Sequence, residues 1–296
     1  MAQLIESDEA LFLSALAEAE AGNVNAQCDV GNHYMLGKGV AQDYGSAVEW
    51  YSKAAEQGDP RAQKCLGNMY ANGMGVPQDY IEASKWFIKA AEGGNAKAGF
   101  NLGLMYQIGH GVEKNYDQAL YWQQMAAEQG YAPAQFSLAL LYLNGKGVAQ
   151  DYTKAFEWFC RAAEQNHATA QYNAGLAYEN GTGVAQDLAE ACKWYKRAAL
   201  NGDYLAQVSL AGMAHEGKGM SGDIKEAFIW YCVAAKNHPV SDDKAEIFSQ
   251  IRSGMTSEEI TRLEIYAGEL DAMIKNRKPA NPIGKLAVKK AAGKKD

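Results

Sequence analysis

The sequence predicts an all-α protein, a solenoid of stacked helix pairs, and three observations support this prediction. The 296-residue chain repeats itself every 36 residues over six copies without an insertion, as the spacing from Trp50 to Trp86 illustrates. Glycine is frequent, at 30 residues, and proline is rare, at 6, which suits helices joined by glycine turns. Apolar residues within a copy follow the spacing of a helical face. A repeat of this length is typical of a solenoid, because one helix pair cannot bury both of its faces alone.

Each copy opens with Ala-Gln or Ala-Gly and contains one tryptophan, so the copies account for all six tryptophans of the chain. The opening alanine is taken as position zero of its copy. The predicted repeats are 26–61, 62–97, 98–133, 134–169, 170–205 and 206–240. A capping helix within residues 1–25 precedes them, and residues 241–278 are predicted to form a second helical cap.

The first helix of a copy is predicted from an apolar face that ends at a glycine pair. In the second copy, Leu66, Gly67 and Tyr70 fall on one face of a helix. Gly73 and Gly75 follow, and glycine readily adopts the left-handed conformation that a chain takes after a helix end. We therefore expect a helix that stops immediately before Gly73.

The second helix of a copy begins after a capping residue and is rich in small side chains. In the second copy, Asp79 is placed to accept hydrogen bonds from the first free N–H groups of the helix. Ala83, Trp86 and Ala90 share one face, where alanine allows close helix approach and tryptophan fills the space between layers. The equivalent capping residues in the other copies are Asp43, Asn115, Asp151, Asp187 and Asp223.

Both ends of the array have the pattern of caps. Residues 8–22 match a lone second helix. After the sixth copy the period breaks, Ser241 is a candidate helix cap, and Thr256 with Glu259 forms a capping box. The tail, residues 279–296, is rich in Lys, Pro and Gly and is predicted to be disordered and basic. The helix after the capping box carries an apolar stripe, Ile260, Leu263, Tyr266, Leu270 and Ile274.

The fourth copy resembles a Sel1-like repeat, a relative of the tetratricopeptide repeat with a longer turn, and it reads AQFSLALLYLNGKGVAQDYTKAFEWFCRAAEQN. The resemblance extends from Ala26 to His238, and SGMTSEEITRLEIYA is similar to the C-terminal cap of such proteins. It implies a right-handed alpha-alpha superhelix, a solenoid of six 36-residue Sel1-like repeats with helical caps. It also implies a non-catalytic adaptor that holds partner proteins.

The net charge of −7 combines an acidic body with a basic tail. From Arg277 onward there are seven basic residues and one acidic residue, a net +6 that leaves about −13 for the rest. An acidic body is unsuited to nucleic-acid phosphates and better suited to a basic or neutral protein partner. The tail is a candidate to contact an anionic surface, although a solvated extension is the simpler interpretation.

The sequence shows no recognisable secretory leader and no apolar run long enough to span a membrane, so a cytoplasmic location is expected. A non-classical export route stays open. Five cysteines, an odd number without C-x-x-C spacing, indicate free thiols in a reducing compartment. The five histidines fall at different positions of the repeat, which argues against a shared metal site, and no cofactor is expected.

Two alternative functions remain beside the adaptor. The first is a β-lactam or peptidoglycan-fragment hydrolase, because some cysteine-rich members of the Sel1-like family are known as β-lactamases. S-x-x-K occurs at Ser241–Lys244 and Y-x-N at Tyr70–Asn72, but K-T-G is absent and Y-x-N recurs with the repeat. The paired cysteines of those members are also missing. The second is an exported virulence or envelope factor, against which the lack of a leader argues.

The candidate binding surface consists of positions that vary between copies, since the recurrent positions maintain the stack. Offsets 3, 6 and 10 from the opening alanine lie opposite the buried face, and in related solenoids they line the concave groove. Asparagine amides there are suited to a peptide backbone, and central leucines form an apolar patch. Packing between neighbouring first helices is the alternative explanation. The candidate partner-binding residues are Asn32, Lys64, Asn68, Asn72, Asn101, Leu104, Ile108, Leu140, Asn144, Asn173, Leu176 and Asn180.

Lys64 has a further resemblance. Beside Asn68 it is similar to half of the carboxylate clamp of tetratricopeptide domains. Phe100 and Phe136 occupy the equivalent positions in the next two copies, so the remainder of such a clamp is not predicted.

Overall fold

A computed structural model describes residues 7–238 and 242–277, and their regular structure is entirely α-helical, which confirms the all-α prediction. The predicted cap Ser241 and the predicted tail, 279–296, lie outside the described residues. The helices described are α1 (Asp8–Glu20), α2 (Val24–Leu36), α3 (Tyr44–Glu56), α4 (Pro60–Asn72), α5 (Tyr80–Glu92), α6 (Ala96–Ile108), α7 (Tyr116–Glu128), α8 (Ala132–Asn144), α9 (Tyr152–Glu164), α10 (Ala168–Asn180), α11 (Leu188–Leu200), α12 (Tyr204–Glu216), α13 (Ile224–Asn237), α14 (Asp242–Ser253) and α15 (Ser257–Asn276).

The first helices of the six copies are α2, α4, α6, α8, α10 and α12, and the helix after each is its second helix. The second helices begin at the predicted caps. The Asp79 carboxylate accepts hydrogen bonds from the backbone N–H groups of Ile81, at 2.9 Å, and Glu82, at 3.0 Å. The equivalent bonds are made by Asp43, Asn115, Asp151, Asp187 and Asp223.

The turn inside a copy is built by two glycines. Gly73 ends α4 in a left-handed conformation, with φ of 66°, and its N–H bonds the carbonyl of Met69. Gly75 has φ of 71°, and a Cβ at this position would clash with the carbonyl oxygen of Tyr44, the first residue of α3. Any side chain at this position would be strained and would collide with the Tyr44 carbonyl. Only glycine therefore allows the second copy to pack this closely on the first.

The residue after the tryptophan is a buried side chain in every copy. In the second copy, Phe87 is 1% exposed and packs over Gly67, where a Cβ would lie 2.6 Å from the ring. Trp86 therefore fills less of the core than predicted. It is half-buried, and the Lys89 ammonium lies 4.3 Å from the centre of its ring. The glycine in α4 admits the Phe87 ring, which leaves the indole at the rim.

In five of the six copies, a buried glutamine joins the first helix to the helix that precedes it. Gln63 Nε2 donates to the carbonyl oxygen of Ala55, at 3.1 Å, in the last turn of the preceding second helix. The bond satisfies a helix-end carbonyl and explains why a copy opens with Ala-Gln. In the third copy, Gly99 stands at the place of the glutamine. The same bond is made by Gln27, Gln135, Gln171 and Gln207.

The chain forms two compact units, residues 1–158 and 159–296. In unit 1, successive small cores lie between neighbouring helices, such as the one around Leu102. In unit 2, a larger core surrounds Leu210 and extends to the C-terminal cap. Each unit therefore has buried apolar contacts of its own.

The C-terminal cap packs on unit 2 with one correction to the predicted stripe. Thr256 and Glu259 make both bonds of the predicted capping box at the start of α15, each 3.2 Å long. Ile274 is buried as predicted, but Tyr266 is 54% exposed and Ala267 takes the buried position instead. The small Ala267 side chain allows α15 to approach α13.

Candidate functional site

The predicted partner-binding residues all lie on first helices, nine of them in unit 1 and three in unit 2. We call the side of the first helices that carries offsets 3, 6 and 10 the first-helix face. None of the twelve residues is buried. The exposed ones are Asn72, Ile108, Asn144 and Asn180, and the others are half-buried.

Unit 1 places three of the predicted apolar residues on two neighbouring first helices. Leu104 and Ile108 lie one turn apart on α6, and Leu140 lies on α8. Ile108 is 44% exposed, and both leucines are half-buried. Gln107 of α6 donates to the Ser137 hydroxyl of α8 at 3.2 Å, so the two helices are in direct contact. The three apolar side chains are therefore at least partly exposed on two helices that are in contact.

The asparagines of α4, α6 and α8 divide into two groups. Asn101 Nδ2 donates to Asn68 Oδ1 at 3.2 Å, which links α6 to α4. Asn72 and Asn144 instead bond backbone carbonyls one turn earlier, at 2.7 and 2.8 Å, through Nδ2. Packing between first helices thus accounts for the first pair. The exposed Asn72 and Asn144 retain a carbonyl oxygen and one N–H that no described residue uses.

In unit 2, α10 presents the remaining predicted residues in the same order. Asn173 Nδ2 donates to the carbonyl of Thr169 at 2.7 Å. Leu176 follows and is half-buried, and Asn180 is exposed at the end of the helix. This helix therefore repeats the arrangement of an apolar residue between two amides.

A cleft of about 580 Å³ lies in unit 1 between α2, α4 and the N-terminal ends of α6 and α8. It contains two predicted residues, Asn32 and Lys64. It also contains Arg61 and Lys97, which the sequence prediction does not include. Both stand one position before the opening alanine of consecutive copies, so a shared basic offset was the signal available. The lining residues are Cys28, Asn32, Arg61, Lys64, Cys65, Gly94, Asn95, Ala96, Lys97, Gln129, Gly130 and Tyr131.

Arg61 is held at this cleft by the buried N-cap of α4. Its Nη2 lies 2.8 Å from Asp59 Oδ2 and 2.7 Å from Asn25 Oδ1. Burial acts to raise the pKa of Asp59, but hydrogen bonds from the side chain and backbone of Arg61 prevail and lower it. The Arg61 side chain is still 52% exposed, so its charge reaches the cleft.

Cys28, one of the residues that line the cleft, is unsuited to nucleophilic chemistry. Burial, reinforced by the neighbouring Cys65, raises the pKa of Cys28 to about 12. The thiolate is the reactive form of cysteine, so Cys28 is inert at neutral pH. Asn32, which lines the cleft, accepts a hydrogen bond from the Tyr51 hydroxyl through Oδ1 at 2.8 Å, so its Nδ2 group is not used in this bond.

The catalytic alternative has no assembled site in the described residues. Tyr70–Asn72, Tyr142–Asn144 and Tyr178–Asn180 are the C-terminal ends of three separate helices, α4, α8 and α10. In the two described segments, no three potential metal-ligating side chains come together. Among the helices described, none has the length and apolar character that crossing a membrane requires.

The chain matches the model of the Sel1 repeat family six times, at residues 24–59, 60–95, 96–131, 132–167, 168–203 and 205–238. It is similar to c5321, a protective antigen present in uropathogenic Escherichia coli strains that displays an SLR fold, at 33% identity and a TM-score of 0.80. That similarity covers 88% of this chain but 56% of c5321, so the chain spans little more than half its length. No curated protein matches the chain.

A second similar structure is a Sel1 repeat protein from Oxalobacter formigenes, with 37% identity and a TM-score of 0.68, over 74% of this chain and 89% of that one. The matched repeats follow the helix pairs of α2 to α13 and cover more than half of the chain. The predicted solenoid fold of six Sel1-like repeats is confirmed, and it is a scaffold that typically mediates protein–protein interaction. The chain belongs to the Sel1 repeat family.

Proposed function

We propose that this protein is a non-catalytic scaffold that binds a protein or an extended peptide in a groove along the first-helix face of either unit. The observation that supports this most directly is the apolar group of Leu104, Ile108 and Leu140 on α6 and α8. It is flanked by the exposed amides of Asn72 and Asn144. An apolar centre within a polar surround is the usual composition of a protein-binding surface.

The residues of this face have complementary roles in the proposal. Half-buried leucines offer apolar surface without the entropy cost of ordering a long mobile side chain. An asparagine amide both donates and accepts, which matches the alternating N–H and C=O groups of an extended peptide. In unit 2, Asn173, Leu176 and Asn180 supply the same combination on α10. The partner would therefore be recognised through its backbone and through apolar side chains.

The test compares the wild type with two triple variants in a pull-down from native lysate, followed by binding measurements with the purified partner. We expect the face variant to weaken that binding at least about tenfold, because glutamate removes the apolar contact and adds a charge. Circular dichroism must show both variants folded. Equal binding by the face and control variants would contradict the proposal. The face variant is Leu104→Glu, Leu140→Glu, Leu176→Glu, and the control, at exposed apolar residues elsewhere, is Ile81→Glu, Leu205→Glu, Ile224→Glu.

We propose, as a second candidate, an interaction factor that acts outside the cytoplasm. It is supported by the similarity to c5321, which is a protective antigen. Fractionation of producing cells, with a cytoplasmic enzyme as the marker of leakage, tests it. Recovery of the protein in the envelope or medium without the marker is the expected result. Complete co-fractionation with the marker would exclude this candidate and leave the scaffold proposal unaffected.

A further inference from the structure

The cleft in unit 1 has a charge opposite to that of the protein. The whole chain has a net charge of −7, and the part before the tail is more acidic still. The residues that line the cleft nevertheless include three cations, Arg61, Lys64 and Lys97, and no carboxylate. Like charges brought into one concave site repel one another, so such a grouping favours an anionic occupant.

Two of the three cations have no anion of their own. The salt bridges among the described residues include neither Lys64 nor Lys97. Arg61 uses Nε and Nη2 toward Asp59 and Asn25, and its Nη1 group makes no bond to a described residue. The cleft therefore presents two ammonium groups and one end of a guanidinium.

The nearest acidic groups do not neutralise the cleft. Asp59 is 8% exposed, and its carboxylate oxygens accept hydrogen bonds from the Arg61 side chain and from the backbone of α4. Asp29, on α2, is exposed and does not line the cleft. A carboxylate from outside would thus meet Lys64 and Lys97 without displacing a partner of the protein's own.

We propose that this cleft binds the carboxylate side chains of an acidic peptide segment, which anchors one end of the partner that the first-helix face holds. The inference rests on the proposed function, because Lys64 shares α4 with Asn68 and Asn72 of that face. Lys64 and Lys97 contact the carboxylates, and the Asn32 amide donates to the same segment. The volume of about 580 Å³ accommodates several side chains rather than one.

The test measures fluorescence polarisation of short labelled peptides with the purified protein. The first peptide carries glutamates at alternate positions and has an amidated C-terminus. The second replaces each glutamate by glutamine, and the third is the glutamine peptide with a free C-terminal carboxylate. We expect the first peptide alone to bind, and its affinity to fall as NaCl is added, because exposed charges are screened by salt.

Two double variants with the same change in net charge locate the binding. Lys64→Gln with Lys97→Gln removes the free cations of the cleft, and Lys114→Gln with Lys146→Gln removes two cations elsewhere in unit 1. We expect about a tenfold loss of affinity for the first variant and no significant loss for the second. The single Lys97→Gln variant, at an exposed side chain, should show part of the loss while leaving the fold intact.

Three results of the peptide measurements would overturn the inference. One is equal binding of the glutamate and glutamine peptides. Another is equal affinity of the two double variants for the glutamate peptide, and the third is preference for the free C-terminal carboxylate. None of them affects the scaffold proposal, which the leucine variants test separately. If the leucine variants lose the partner while the cleft variant retains it, the face stands and the cleft inference fails.

Discussion

His167 occupies the N-cap of α10, a place that four of the other first helices give to asparagine or aspartate. Its Nδ1 accepts a hydrogen bond from the N–H of Ala170 at 3.2 Å. Burial lowers the pKa of His167 below its ordinary value of 6.5. Protonation would remove the Nδ1 lone pair, so only the neutral ring can cap the helix.

The capping role of His167 predicts a pH dependence of stability. Its pKa is lower in the folded protein, so the unfolded chain binds more protons as the pH falls. The full contribution is present above about pH 6.5, the ordinary value, and decreases as the pH falls below it. We expect the thermal midpoint of the wild type to fall more between about pH 7 and pH 5.5 than that of His167→Asn. His110→Asn, at an exposed histidine, is the control and should follow the wild type. Parallel profiles for wild type and His167→Asn would contradict the assignment.

The turn between the two helices of a copy contains two glycines that tolerate side chains poorly. Gly73 and Gly75 both have positive φ, but only the second stands against the backbone of another copy. A left-handed conformation alone costs a residue with a side chain roughly 1–2 kcal/mol. Steric overlap with backbone adds to this, because a carbonyl group cannot rotate away as a side chain can.

Two glycine substitutions separate these effects. We expect Gly75→Ala to lower the free energy of unfolding by roughly 2–4 kcal/mol, since strain and collision with the Tyr44 carbonyl add together. Gly58→Ala should cost about 1 kcal/mol, because Gly58 has φ of 91° and a Cβ there would meet no atom within 4 Å. Urea denaturation of both variants measures the difference. Equal losses of unfolding free energy in the two variants would show that the backbone contact at Gly75 does not contribute to stability.

At the scale of the whole molecule, the sequence predicts those features that depend on residues within one copy. Asp79 caps a helix and Gly73 ends one because of contacts within a few residues, and a repeated local rule is easily recognised. The prediction for Tyr266 is wrong because a lone cap helix such as α15 has no second copy to fix its phase. The period also passes through Trp158 unchanged, so it does not mark the division between the two units.

The cleft could not be predicted in the same way. Arg61 and Lys97 share one offset of the repeat, but Lys64 has another. Their convergence depends on the angle between successive copies, which a repeat period does not specify. The sequence therefore identifies Lys64 as half of a site. The residues at the same offset in the next two copies are Phe100 and Phe136, and the cations of the cleft lie instead one position before the opening alanine.

The contact between Gly75 and the Tyr44 carbonyl has a consequence for how a repeat protein can evolve. Equivalent glycines of other copies meet the same kind of carbonyl, and each contact joins backbone to backbone. Because this contact is made by backbone atoms, it does not depend on which copy lies on either side of it. At this contact, a cassette of 36 residues can therefore be duplicated, deleted or transplanted without a matching side-chain change in its neighbour. The further glycine–carbonyl contacts are Gly39 with Asp8, Gly111 with Tyr80, Gly147 with Tyr116 and Gly219 with Leu188.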